Sequence, residues 1–276
     1  MSWQFSMALD IGGRSEQQDS IDLLSSDTDD SHLVIVADGM GGHEGGALAS
    51  KTVVETARRH FNNGRDPDPE TFLEKLCLES HHAISALGTG EQRSPGSTCV
   101  LLYLKGTEAY WAHVGDSRLY HISKNKLQQQ TCDHSVVQLM VSRGDMSEAE
   151  ASNSSLQNQL YMCLGGSNTP EPDLNAHVAV HNDLFILCSD GFWSWVKPEE
   201  VLACLEQQSF EDDCAARLVE LARERGGDKG DNISLALIRF DSDRKRPIGN
   251  LFTKLVEYIS SRTCTPPRRG SDPSFR

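Results

Sequence analysis

The sequence predicts an α+β fold with antiparallel sheets. Strand-like apolar runs follow one another closely and amphipathic helical stretches come in pairs, without the regular strand–helix alternation of a parallel sheet. The chain has 276 residues, which is enough for one large domain with a substantial core.

The first part of the chain contains two predicted strands and two predicted helices. Alternating apolar residues from Trp3 to Ile11 predict a half-buried strand, and LVIVAD (33–38) predicts a short buried strand that ends at Asp38. Two helices should follow, because apolar residues then recur at helical spacing, with Pro69 near the start of the second. The apolar positions of these helices are Ala47, Val54, Ala57 and Phe61, then Leu73, Leu76, Cys77, Ile84 and Leu87.

The second part of the chain is richer in strands. Four strand-like runs, STCVLLYL, TEAYWAHV, SRLYHI and KLQQQ, have short connections that predict antiparallel hairpins. Residues 134–160 are polar and contain only short helical fragments. The remaining predicted elements are a buried strand, DLFILCSD (183–190), helices over 198–207 and 211–225, and a last strand, ISLALIRF (233–240).

Composition argues against several classes of protein. The net charge of −14 is opposite to the basic footprint of a nucleic-acid-binding protein. The eight cysteines form no C-x-x-C pair and lie mostly in apolar stretches, which favours reduced thiols and a cytoplasmic location. The sequence shows neither a secretory signal nor an apolar stretch long enough for a transmembrane segment.

The C-terminal extension, residues 241–276, differs from the rest in charge. It holds eight Lys or Arg against four Asp or Glu, so it is basic. Its apolar residues predict an amphipathic helix over 247–262, followed by a disordered end. We expect this helix either to pack on the preceding domain or to bind a partner. A position on a membrane surface is less favoured, because its polar face offers only Lys254 and Arg262 as cations.

Four aspartates share one local pattern. Each ends or follows an apolar run beside a glycine or a small polar residue: Asp38 in VADG, Asp116 in VGDSR, Asp190 in CSDG and Asp231 in KGDNIS. A single such Asp is usually a turn or cap residue, but four at strand ends could converge. Converging carboxylates repel one another unless a cation joins them, and oxygen ligands suit Mg²⁺ or Mn²⁺. Two such ions could clamp a phosphoryl group.

Other phosphate chemistries fit the sequence less well. The glycine-rich stretch VADGMGGHEGG (36–46) matches neither the P-loop pattern nor the dinucleotide-binding pattern. No cysteine is followed by Arg at the spacing of a cysteine-nucleophile phosphatase. DTDDS (27–31) approaches the pattern of an aspartyl-nucleophile phosphatase, but it ends in Ser and lies in a polar stretch.

Seven motifs, in order, resemble the metal-dependent serine/threonine protein phosphatases of the PPM (PP2C) family, especially its bacterial branch. They are GGRSEQQDS, VADGMGGHEGG, GSTCVLLYL, AHVGDSRLY, TCDHS, LCSDGFW and GDNIS. The resemblance covers roughly residues 3–240. It implies a phosphatase domain over 1–240, an αββα sandwich of two antiparallel sheets flanked by helix pairs, and a substrate-selecting flap at about 134–160.

The resemblance also implies a set of metal ligands. Asp38 would bridge two Mn²⁺ or Mg²⁺ ions. Asp190 and Asp231 would complete the first metal site, and the carbonyl of Gly39 would bind the second ion. Asp116 with Asp190 would hold a third, weaker ion.

The implied reaction is hydrolysis of phosphoserine or phosphothreonine in proteins by a metal-bridged hydroxide, which would reverse the work of a cognate Ser/Thr kinase. Asp19 would orient metal-bound waters, and Arg14 would bind the substrate phosphate. A general acid must protonate the leaving oxygen. Met40 occupies the position where eukaryotic members carry the proposed acid, a His, so His43 is the candidate here.

One departure from the family pattern leaves alternatives open. The first motif reads Gln17-Gln18-Asp19 where members usually carry Asn-Glu-Asp or Asn-Gln-Asp, so the second metal is expected to bind less tightly. A catalytically weak or inactive pseudophosphatase that binds phosphoproteins is the alternative function, although the retained aspartates argue against it. A phosphatase acting on a small phosphorylated regulator would share the same chemistry.

Overall fold

The computed structural model describes residues 2–26, 28–41, 44–88, 95–151, 153–207, 210 and 213–242. Within these ranges the chain forms eleven β-strands and seven α-helices. The strands are β1 (Ser2–Asp10), β2 (Asp19–Ser26), β3 (Ser31–Met40), β4 (Gly96–Ser97), β5 (Cys99–Lys105), β6 (Glu108–Val114), β7 (Arg118–Ser123), β8 (Lys126–Gln130), β9 (Asp173–Val178), β10 (Leu184–Cys188) and β11 (Ile233–Asp241). The helices are α1 (Glu44–Asn63), α2 (Pro69–Ser85), α3 (Val136–Arg143), α4 (Glu148–Ala151), α5 (Asp190–Trp193), α6 (Pro198–Gln207) and α7 (Cys214–Gly226). The predicted helix 247–262 and the end after it lie outside the described residues.

The strands form two antiparallel sheets. The five-stranded sheet has the order β1-β11-β10-β7-β8. The six-stranded sheet has the order β2-β3-β5-β6-β9, with the short β4 pairing to β3 beside this path. The predicted α+β class with antiparallel sheets is therefore confirmed.

The two sheets face each other and each carries a pair of helices on its outer side. Strand β3 shows this arrangement, because side chains alternate between the two faces of a strand. Leu33 and Ile35 pack with residues of α1 and α2, whereas Val34 and Val36 pack with residues of the other sheet. A third apolar cluster joins the five-stranded sheet to α6 and α7. The continuous apolar run of β3 thus reflects burial on both faces.

Local signals set several element boundaries. Helix α2 begins with Asp68 as its N-cap, whose side chain accepts a hydrogen bond from the backbone N–H of Thr71 at 2.9 Å, and Pro69 follows at the first helical position. The hairpin between β7 and β8 turns at Lys124 and Asn125, which both have positive φ, as a tight two-residue turn requires.

Some elements differ from those expected from the sequence. Strands β2 and β9 were not anticipated, and they are the two edge strands of the six-stranded sheet. Strand β1 ends at Asp10, so Ile11 lies beyond it and is exposed. Helix α7 begins at Cys214, three residues later than the apolar pattern indicated.

In the part of the chain that the structure describes, no helix is both long and apolar enough to span a lipid bilayer. None of the seven cysteines in the same ranges forms a disulfide.

Candidate active site

Five aspartates lie at one end of the sandwich. In the six-stranded sheet, Asp19 begins β2 and lies directly opposite Asp38 of β3. In the five-stranded sheet, Asp116 precedes β7, Asp190 follows β10, and Asp231 precedes β11. Strand β10 pairs antiparallel with both β7 and β11, so these three strand ends lie side by side. The convergence expected for four of these residues therefore extends to Asp19.

Hydrogen bonds hold Asp19 and Asp38 in place. Oδ2 of Asp19 accepts a hydrogen bond from Ser189 Oγ at 2.7 Å, which links the end of the six-stranded sheet to the end of β10. The backbone N–H of Asp38 donates to Thr98 Oγ1 at 3.0 Å, and the N–H of Thr98 donates to the carbonyl of Asp38 at 2.8 Å. Both carboxylates are thus positioned by rigid strands.

The carboxylates strongly perturb one another. Burial and the neighbouring aspartates raise the pKa of Asp38 well above its ordinary value, and the same causes act on Asp190. Burial raises the pKa of Asp19 to about 6, although the Ser189 hydroxyl opposes the shift. Burial and the Asp133 carboxylate raise the pKa of Asp116 to about 6. A shared cause, negative charge gathered in a poorly solvated place, explains all four shifts.

The donor set fits divalent cations with a preference for oxygen. Oδ1 of Asp19 and Oδ1 of Asp190 are buried and have no hydrogen-bond partner among the described residues. A buried, unpartnered carboxylate oxygen is costly, and a cation is the partner that would also relieve the repulsion between the carboxylates. Carboxylate and carbonyl oxygens are the ligands that Mg²⁺ and Mn²⁺ prefer.

The comparison with protein families agrees with this geometry. The family model for protein phosphatase 2C matches residues 11–227, which is most of the chain. The chain belongs to the protein phosphatase 2C family. Its relatives in this family are serine/threonine phosphatases, and this chain is a serine/threonine protein phosphatase of the same type.

Individual relatives in this phosphatase family are bacterial. The serine/threonine phosphatase Stp of Listeria monocytogenes is 30% identical over 223 residues, which cover 79% of this chain and 88% of Stp. The solved structure of the serine/threonine phosphatase of S. agalactiae has a TM-score of 0.81 and 29% identity, and the match covers 87% of this chain and 100% of that one. The catalytic domain of a serine/threonine protein phosphatase named PstP was solved in complex with two manganese ions. It has a TM-score of 0.73 and 28% identity, covering 87% of this chain and 99% of that chain.

Arg14 lies at the edge of the phosphatase site, in the loop between β1 and β2. Its Nη2 is 2.6 Å from Oδ2 of Asp231, one of the expected metal ligands. Asn232 holds this loop: its Nδ2 donates to the carbonyls of Ile11 and Glu16, at 2.9 and 3.0 Å. Asn232 belongs to the GDNIS motif, but its contacts with this loop were not predicted, because Ile11 and Glu16 are distant from it in sequence.

Two glycines of the glycine-rich stretch, Gly39 and Gly46, lie where the backbone packs too closely for a Cβ atom. A Cβ on Gly39 would lie 1.9 Å from the carbonyl oxygen of Gly46, and a Cβ on Gly46 would lie 2.8 Å from the carbonyl oxygen of Gly39. The end of β3 and the first turn of α1 therefore pack backbone against backbone. The expected contact of the Gly39 carbonyl with an ion stays a prediction beside this backbone packing.

An ion pair beside Asp116 was also missed by the sequence analysis. The guanidinium of Arg118 donates two hydrogen bonds to the carboxylate of Asp133, at 2.8 and 2.7 Å, and lies 3.5 Å from the ring centroid of Trp193. Trp193 in turn donates from Nε1 to the carbonyl of Asp116 at 2.9 Å. Arg118 and Asp133 both lie within the quoted motifs, but no sequence pattern indicated that they form an ion pair.

Two of the histidines within the motifs, His134 and His43, have different outcomes. His134 accepts a hydrogen bond at Nδ1 from the backbone N–H of Gly115, at 3.1 Å, and so fixes the turn that carries Asp116. His43 lies outside the described residues. The polar segment expected as a flap contains α3 and α4, and its ends are joined by a β-bridge between Ser135 and Leu160.

We predict that replacing Asp190 with Asn stabilises the metal-free protein at pH 7. The raised pKa means that the folded state tolerates the charge less well than the unfolded state does. Removing the charge should therefore increase the free energy of unfolding by about 1 to 3 kcal/mol in the presence of a chelator. The gain should shrink as the pH falls, since the wild-type carboxylate then takes up a proton.

Thermal unfolding with chelator and with Mn²⁺ measures this effect. Mn²⁺ should stabilise the wild type markedly and the Asp190→Asn protein much less. The control is Glu55→Gln on the exposed face of α1, which removes one negative charge far from the site. Equal stabilisation of Asp190→Asn and wild type by Mn²⁺ would contradict the assignment of Asp190 as a ligand.

Proposed function

We propose that this chain hydrolyses phosphoserine and phosphothreonine in proteins by using two divalent cations, Mn²⁺ or Mg²⁺, with a third, weaker ion as an extension of the same site. The observation that carries the proposal is the group of five aspartates at one end of the sandwich, where two buried carboxylate oxygens lack partners among the described residues. The two manganese ions bound to the PstP catalytic domain support it.

Each carboxylate has a proposed place in this site. Asp38 would be shared by the two cations, Asp190 and Asp231 would complete the first position, and the carbonyl of Gly39 would serve the second. Asp116 would join Asp190 in holding the third cation. The bound cations would supply a water of lowered pKa and neutralise charge on the phosphoryl oxygens.

Asp19 and the protein backbone would keep this arrangement rigid. Asp19 is buried against Ser189, so its second oxygen can hold water in a fixed orientation. Because the ligands stand on strand ends of two packed sheets, little reorganisation is needed when charge develops in the transition state. The leaving Ser or Thr oxygen needs a proton, and we propose His43 as its source.

Arg14 would bind the phosphate of the substrate. In the structure its side chain is 58% exposed and pairs with Asp231, whose side chain is 39% exposed. Such an exposed pair contributes only about 0 to 1 kcal/mol to stability, so replacing it by a contact between Arg14 and phosphate loses little. A cation on the Asp231 carboxylate would neutralise part of its charge and weaken its attraction for Arg14. Loading of the site with cations would therefore release the guanidinium for a planar, two-point contact with phosphate.

The setting we propose is removal of phosphate added by a cognate Ser/Thr kinase in the cytoplasm. The cysteines without disulfides support a reducing compartment. The flap at about 134–160 would select substrates. The β-bridge between Ser135 and Leu160 joins its two ends, and His134 connects these ends to the turn that carries Asp116. One structural relative, PppA of Pseudomonas aeruginosa, is described as a regulatory component of type VI secretion.

Phosphate release from a phosphothreonine peptide tests the activity. We expect release with Mn²⁺ that a chelator abolishes and that excess Mn²⁺ restores. Asp38→Asn should lower kcat roughly a thousandfold while circular dichroism stays unchanged, because the site loses the ligand shared by two cations. Near-normal turnover by Asp38→Asn would contradict the metal assignment. Phosphopeptide binding without release under any divalent ion would favour the pseudophosphatase alternative.

A second prediction separates the role of Arg14 from a general effect of losing an arginine. Arg14→Ala should lower kcat/KM by roughly 10- to 100-fold, mainly through KM, because a charge-assisted contact is worth about 1.5 to 3 kcal/mol. The matched control is Arg58→Ala: Arg58 is 55% exposed and pairs with Asp22 at 2.7 Å. An Arg14→Ala protein with the KM of the Arg58→Ala protein would remove Arg14 from the phosphate site.

We further propose that the basic extension binds a partner or a protein substrate through the helix expected at 247–262. A truncation after residue 242 should keep its kcat/KM on phosphopeptides and lose it on the intact phosphoprotein from which the peptide derives. Equal losses on both substrates would instead indicate that the extension supports the domain itself.

A further inference from the structure

Two imidazoles and one carboxylate meet far from the aspartate site. His121 lies on β7, His177 lies near the end of β9, and Asp183 immediately precedes β10. Asp183 and Asp190 stand at opposite ends of β10, which separates the two places by roughly 20 Å at 3.3 Å per residue. This cluster is therefore independent of the proposed catalytic site.

The spacing of the three side chains suits a small cation. Nε2 of His177 is 2.9 Å from Oδ2 of Asp183, and Nε2 of His121 is 3.4 Å from the same oxygen. One ligand atom from each residue lies within 4.8 Å of the other two. Ligand atoms around a tetrahedral Zn²⁺ with bonds of about 2.0 to 2.1 Å are about 3.3 Å apart.

Burial makes the cluster costly without a cation. Asp183 is fully buried and the side chain of His121 is 4% exposed, while that of His177 is 27% exposed. Nε2 of His121 and Oδ1 of Asp183 have no hydrogen-bond partner among the described residues. The hydrogen bonds from His177 and from the N–H of Val180 both reach Oδ2, the oxygen that Nε2 of His121 also faces at 3.4 Å. A buried polar atom left without a partner destabilises the folded state.

The protonation states also suit metal binding. Burial lowers the pKa of His121, which keeps its imidazole neutral. Burial opposes ionisation of Asp183, but the two imidazoles and nearby donors outweigh it and hold the pKa of this carboxylate below its ordinary value. Neutral imidazoles and an ionised carboxylate are the forms that bind a transition metal.

A second cluster, His113, His134 and Asp173, shows why geometry alone is insufficient. The Gly115 N–H occupies Nδ1 of His134, so the proton of the neutral ring is on Nε2, the atom that faces Asp173 at 3.3 Å. That nitrogen therefore has no lone pair for a metal as long as the Gly115 N–H occupies Nδ1. His177 also donates from Nε2, to Asp183, but within the described part of the chain no backbone N–H donates to Nδ1 of His121 or His177. The ring proton can therefore move to Nδ1 when a metal binds Nε2.

We propose that His121, His177 and Asp183 bind one Zn²⁺ ion, with water in the fourth position on the exposed side of His177. Imidazole nitrogens and a carboxylate oxygen are common zinc ligands, whereas the aspartate site offers only oxygen. Since β7 and β9 belong to different sheets, the ion would join the two sheets at the end opposite the active site.

Co²⁺ serves as the spectroscopic probe for this site in the full chain. With Mg²⁺ in excess to occupy the oxygen-ligand site, we expect one equivalent of Co²⁺ to bind with the strong visible absorption of a four-coordinate ion, and Zn²⁺ to displace it. His177→Ala should lose this equivalent and keep its Mg²⁺-dependent phosphatase rate. The control is His60→Ala, which removes another largely buried imidazole paired with a carboxylate, Glu79, at 2.6 Å.

Asp38→Asn separates this proposal from the catalytic one, because it should keep the four-coordinate Co²⁺ even though the phosphatase rate is lost. His177→Gln guards against a folding defect in His177→Ala: it should unfold near the wild-type temperature without Zn²⁺ and gain no stability from Zn²⁺. Absence of a four-coordinate Co²⁺ spectrum in the wild type would overturn the proposal, and so would its persistence in both His177 variants. Either result would mean that the cluster is a hydrogen-bonded pair, His177 and Asp183, beside the ring of His121.

Discussion

Repulsion among carboxylates is the constraint on which the rest of this structure depends. Five aspartates share one end of the sandwich, and burial together with neighbouring carboxylates raises the pKa of four of them. Such an arrangement persists only if the elements that carry the charges cannot move apart. The apolar layer between the sheets and the two outer layers under the helices supply that resistance.

The same constraint explains the polar contacts around the site. Ser189 joins Asp19 to the other sheet, Thr98 fixes Asp38 through two backbone hydrogen bonds, and Trp193 holds the carbonyl of Asp116. None of these partners neutralises a carboxylate. They fix its position and leave at least one of its oxygens available, which is the property that a cation site needs.

Much of the fold could be predicted from the sequence, and the errors have a common physical origin. Strands buried on both faces, such as β3, are continuous apolar runs and were recognised. Strands β2 and β9 were missed because they are edge strands with one side less covered, so that DSIDLLSS and DLNAHV carry many polar residues. An edge strand is defined by its neighbour more than by its own composition.

The site was predictable to the extent that strand ends could be recognised. Asp38, Asp116, Asp190 and Asp231 each carry a local signal, and the structure brings them together with Asp19. The roles of Asn232 and Arg118 could not be predicted, because they depend on partners that chain folding brings near. The pairing of Arg14 with Asp231 spans almost the whole domain in sequence, and only the closing of β1 on β11 makes it possible.

The bridge between Ser135 and Leu160 has a consequence for how such an enzyme could diversify. Because the two ends of the intervening segment meet, and Leu164 pairs with Ser97 directly afterwards, the segment's length is uncoupled from the strands that hold the carboxylates. This segment could therefore differ between relatives while the strands that carry the aspartates stayed the same. Chimeras that swap residues 136–159 would then transfer preference for a target without disturbing turnover.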